Sequence, residues 1–96
     1  MAAFVSVYVD MSARAVDVHQ AIGQLPMPAG VLRVEVDDSL LTDTFGCRIA
    51  VDLTGDFDEQ VDGPAIAREY ADRLSAHLGV PAYALGDLLR REYPAS

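Results

Sequence analysis

The hydrophobic periodicity of this 96-residue chain predicts an α+β fold, and three observations carry that expectation. The stretches "FVSVYVD", "VLRVEV" and "CRIAVDL" alternate apolar and polar residues, the period of two of a half-buried strand. Two further stretches place apolar residues at every third or fourth position, as amphipathic helices do. Segments bearing proline and glycine punctuate them, and the resulting order is strand, helix, strand, strand, helix and a last strand. That is the βαββαβ order of a ferredoxin-like plait, with an antiparallel sheet and both helices on one face.

In the first strand Val5, Val7 and Val9 fall on one side, with Phe4, Ser6, Tyr8 and Asp10 on the other. Ser12 suits the N-cap of a helix whose apolar positions are Ala15, Val18, Ile22 and Leu25. "LPMPAG" ends it, because a residue before proline is pushed out of the helical region. The second strand turns Leu32, Val34 and Val36 inward, and Arg33 and Glu35 outward. The third turns Cys47, Ile49, Val51 and Leu53 inward, and Arg48, Ala50 and Asp52 outward. As a hairpin with Val36 opposite Cys47, these two strands set Glu35 against Arg48 and Arg33 diagonal to Asp52.

The acidic run "DLTGDFDEQVDG" leads to Asp62 or Gly63 just before Pro64, a helix-start signal that favours negative charge nearby. Ile66, Ala67, Tyr70, Ala71, Leu74 and Leu78 then form one stripe. His77, Gly79 and Pro81 mark its end. Beyond Gly79, residues Val80 to Leu85 suit a short edge strand, followed by a helical turn or two from Gly86 to Tyr93. If Pro81 instead opens a helix, the fold is a three-stranded βαββαα sandwich. The chain has no repeat and no linker, so residues 1–96 read as a single domain.

Composition narrows the class. Apolar residues make up 51%, enough for a core that should remove somewhat over ~60% of the unfolded surface from water. The net charge is −8, and all seven basic residues are arginines, scattered except for Arg90-Arg91. Nucleic acids and anionic membranes select basic faces, so neither is an expected partner. A basic protein surface is a better one. One cysteine excludes an internal disulfide and fits a reducing, cytoplasmic setting. The first ten residues lack the basic start of a signal peptide, and no uncharged run is fit to span a membrane.

No motif selects a chemistry. A calcium loop starting at Asp56 would have Asp58 and Gln60 as its next ligands, but Val61 stands where glycine should turn and Ala67 where glutamate should close. No metal site and no cofactor are therefore expected. His19 and His77 lie on different helices without sequence-adjacent partners. Cys47 points to the core as a buried thiol, and there is neither a nucleophile elbow nor a phosphate-binding glycine loop. No catalytic residue is assigned. In topology alone the order of elements resembles the amino-acid-sensing plait domains and the dimeric α+β barrel proteins, with no residue motif of either.

Two functions follow as expectations. The first is a non-catalytic acidic interaction domain that binds a protein partner or itself as a homodimer. Its contact residues would be Leu40, Leu41 and Phe45, apolar in a connection that should be polar, with Phe4 and Tyr8 on the outer sheet face. The second is a small ligand-binding protein or enzyme of the dimeric plait type. An apolar pocket between sheet and helices would then use His19, Tyr8 and Tyr70 as polar handles.

Overall fold

The computed structural model describes residues 3–10, 12–37 and 47–84, with Cys47 and Arg48 described for their backbone alone. The elements are β1 (Ala3–Asp10), α1 (Ala15–Gln24), β2 (Val31–Asp37), β3 (Cys47–Gly55), α2 (Gly63–Leu78) and β4 (Ala82–Ala84). The strands form one antiparallel sheet in the order β2-β3-β1-β4. α2 lies over β1 and β4, and α1 lies beside α2 and against β2. The chain is thus α+β, and its described residues form a four-stranded sheet and two helices. The three-stranded alternative does not hold: Ala82–Ala84 pairs with β1, and the Asp10 amide donates to the Pro81 carbonyl at 2.9 Å. Proline is tolerated there because the strand is at an edge and the missing N–H interrupts no ladder.

The core is the inward row of each strand closed by the helix stripes. Val7 and Val9 of β1 and Val51 and Leu53 of β3 are wholly buried, against Val18 and Ala21 of α1 and Tyr70 and Leu74 of α2. Burying a large apolar side chain is worth about 1.5–3 kcal/mol, so the inner strands and the helix stripes hold the fold together jointly.

The helix ends are built differently from one another. Ser12 does not cap α1; the N-cap is Arg14, without a side-chain bond, and the Asp10 carboxylate instead accepts from the Ser12 amide at 3.0 Å. That bond holds Ser12 in a turn ahead of the helix, which begins two residues beyond the position a Ser12 cap requires. At the other end Leu25 is extended, as the following Pro26 requires. The acidic run does serve as the entry to α2. The Asp58 carboxylate accepts from the amides of Gln60 and Val61, both at 2.9 Å, and its carbonyl accepts from Asp62 and Gly63. Gly79 closes α2 in the left-handed conformation at φ 73°, its amide on the Ser75 carbonyl at 2.8 Å.

The hairpin register differs from the expected one. Val36 lies opposite Val51, not Cys47, and Glu35 lies opposite Asp52, not Arg48. Arg33 faces Thr54, and a bulge between Val31 and Arg33 turns Leu32 out, leaving it 73% exposed while Val31 takes the buried position. A shift of four positions keeps every other inward residue inward, so the hydrophobic pattern alone does not separate the two registers. Backbone approach helps to select this one. Gly55 meets Gly30 so closely that a Cβ on Gly55 would sit 2.0 Å from the Gly30 carbonyl oxygen, and the Asp56 amide donates to that same oxygen at 2.8 Å.

Candidate functional site

Alternation places one set of side chains on the sheet face turned away from the helices, and strand pairing arranges them in rows. Tyr83, Tyr8, Ala50 and Asp37 run across all four strands. The next row is Ser6, Asp52 and Glu35, and the third is Phe4, Thr54 and Arg33. Among the described residues no element covers this face. Phe4 stands 49% exposed, whereas Ala50, flanked by larger neighbours in its row, is only 5% exposed.

The electrostatics of the face are one-sided. Glu35 and Asp52 are directly opposite each other, an arrangement that destabilises a sheet. Two local contacts relieve it. The Ser6 hydroxyl donates to Asp52 Oδ1 at 2.8 Å, and Arg33 pairs with Glu35 along β2. Both members of the Arg33–Glu35 pair are well exposed, so the pair adds at most about 1 kcal/mol. With Asp37 in the adjoining row, these three rows carry three carboxylates and one guanidinium.

The residues expected to form a ligand pocket are not brought together. Tyr70 is wholly buried between α2 and the inward row, whereas Tyr8 projects from the opposite side of β1. His19 is exposed on α1, where it borders an open groove with Ile22, Val34 and Val36 beside β2. The Tyr70 hydroxyl finds no hydrogen-bond partner among the described residues, and burial pushes its pKa above the ordinary 10.0. His77 is exposed in the last turn of α2, by a shallow polar cleft shared with Arg14, Asp17 and Gln20 of the first helix region.

Of the residues expected to bind a partner, Phe4 and Tyr8 are on the uncovered face, and Leu40, Leu41 and Phe45 lie outside the described residues. The side chain of Cys47, expected in the core, is also outside them. Among the described residues no three of His, Cys, Asp and Glu gather as a metal ion would need, and no helix is long and apolar enough to cross a membrane. The Glu35–Asp52 pair and the Tyr8–Tyr83 neighbours were not foreseen. Their signal was the register of β2 and the placement of β4, which no local pattern carries. No protein-family model, curated protein or solved structure matches this chain.

Proposed function

We propose that this protein is a non-catalytic interaction domain that docks a basic protein surface on the sheet face that none of the described elements covers. The observation that carries the reading is the Glu35–Asp52 juxtaposition beside exposed Phe4 and the tyrosines of the neighbouring row. A like-charged cross-strand pair costs folding energy, and departures from local consistency concentrate where a surface serves something besides stability. An arriving guanidinium or ammonium would remove that repulsion, and aromatic rings beside carboxylates offer it a second attraction through their faces. The net charge of −8 would steer such a partner and speed its encounter. The element order and the antiparallel placing of β1 and β3 as inner strands also support a ferredoxin-like plait as the finer description of the fold.

The test is calorimetric titration with a nona-arginine peptide, comparing the wild type, Glu35→Gln with Asp52→Asn, and Glu59→Gln with Asp72→Asn. Each double variant removes two exposed or half-exposed carboxylates, the second pair away from the sheet face. The face variant should lose more than about ten-fold in affinity and the control less than about three-fold, since close charge pairs outweigh distant screened ones. Equal losses in both variants would refute a localised site and leave only a general acidic attraction.

A further inference from the structure

The outer edge of β2 presents a second surface, independent of the uncovered face. β2 is seven residues long and pairs only with β3, so its other side carries backbone amides and carbonyls with no partner strand among the described residues. The opposite edge of the sheet, β4, has three described residues. A long exposed edge is a template for strand pairing unless something blunts it. β2 contains no proline, and the groove bordered by His19, Ile22, Val34 and Val36 opens beside it, so α1 leaves that edge accessible.

We propose that two copies of this chain pair β2 with β2 in antiparallel fashion about a two-fold axis at Val34, joining two four-stranded sheets edge to edge. In a two-fold interface, whatever residue i meets, its counterpart meets in return. Centring on Val34 therefore places Arg33 opposite the partner's Glu35 and Glu35 opposite the partner's Arg33. Edge charges usually protect against self-pairing, but these two are of opposite sign and stand one on each side of the axis. A register centred on Arg33 sets Arg33 against Arg33, and one centred on Glu35 sets Glu35 against Glu35 while pairing Arg33 with the partner's Asp37, so of these three only the Val34 register opposes no like charges. The same pairing sets Val34, only half-buried in one chain, against the partner's Val34. The uncovered acidic face would then continue across both subunits.

Charge reversal tests this directly, by sedimentation equilibrium of Arg33→Glu, Glu35→Arg and their mixture. Both residues are well exposed, so each variant should keep the wild-type circular dichroism and melt within a few degrees of it. Each variant alone opposes like charges twice across the axis, and should self-associate more than about ten-fold more weakly than wild type. The mixture should recover association, because both cross-strand pairs become opposite in sign again. The single-chain Arg33–Glu35 contact cannot account for recovery on mixing, since neither variant regains it. Phe4→Asp should leave the dimer intact, which separates the edge from a face-to-face dimer. A wild type monomeric at about 100 μM, single variants that associate like wild type, or a mixture that stays monomeric would each overturn the proposal. Association lost with Phe4→Asp would overturn it in favour of the open face.

Discussion

Two glycine-to-alanine substitutions should change stability in opposite directions, for a reason visible only in the packing. A Cβ at Gly55 would lie 2.0 Å from the Gly30 carbonyl oxygen and 2.8 Å from Val31 Cα, where real Cβ atoms stay beyond 3.0 Å. Both obstacles are backbone, so no side chain can rotate away. The start of β2 must move off β3 by about 1 Å, which also stretches the 2.8 Å bond from the Asp56 amide to the Gly30 carbonyl. Losing that bond costs about 1 kcal/mol. Overpacking adds about 1–3 kcal/mol, giving a total near 2–4 kcal/mol. At about 4–8 °C per kcal/mol for a domain of this size, the melting temperature should fall by roughly 10–30 °C. Gly23, by contrast, is exposed in α1, and a Cβ there meets nothing within 4 Å. Gly23→Ala should therefore stabilise by about 0.5 kcal/mol, by restricting the unfolded chain and favouring helix. Urea unfolding followed by circular dichroism measures both. A Gly55→Ala loss below about 1 kcal/mol would refute the close-approach argument.

Tyr70→Phe should be neutral or stabilise by about 1 kcal/mol, because it deletes a buried hydroxyl with no partner among the described residues. The same burial makes a pH prediction. Raised in the folded state above 10.0, the Tyr70 pKa means that the unfolded chain ionises first, so stability present below about pH 10 is lost as pH climbs through the folded value. Denaturation at about pH 9 and pH 11 should show a smaller alkaline loss in Tyr70→Phe than in the wild type, and equal losses would contradict the assignment. Asp58→Ala strips the acceptor from the Gln60 and Val61 amides ahead of α2, and should cost about 0.5–2 kcal/mol in thermal melts. No change there would mean that water replaces the carboxylate fully. Ile49→Ala, on an inner strand and 6% exposed, should cost about 2–5 kcal/mol in urea unfolding, and a cost under 1 kcal/mol would place it outside the core.

The partition between what could be read and what could not follows the range of each interaction. Alternation along Val5, Val7 and Val9, the stripe from Ala67 to Leu74 and the Gly79 stop are local patterns, and the structure contains each of them. Ser12 carries the local signature of an N-cap, but the turn closed by the Asp10 carboxylate sets the helix start two residues later, at Arg14. The outward alanine of β3, Ala50, is 5% exposed although it lies in the outward row between Tyr8 and Asp37, which come from other strands. Among the candidate residues, Tyr8 and Tyr70 are both aromatic and both amphipathic. Only the assembled sheet assigns one to the open face and the other to the core.

By itself, then, the sequence determined which segments become strands and helices, which side of most of them turns inward, and that the surface is strongly acidic. These properties follow from spacing within a few residues, and from charge, which needs no geometry. Tertiary structure alone decided that β2 slides four positions along β3, that Leu32 is turned out by a bulge, and that Glu35 meets Asp52. The reason is that an even-numbered slip leaves the inside and outside of a strand unchanged. A contact between residues far apart in the chain, the backbone of Gly30 lying against that of Gly55, fits the observed register and helps to select it.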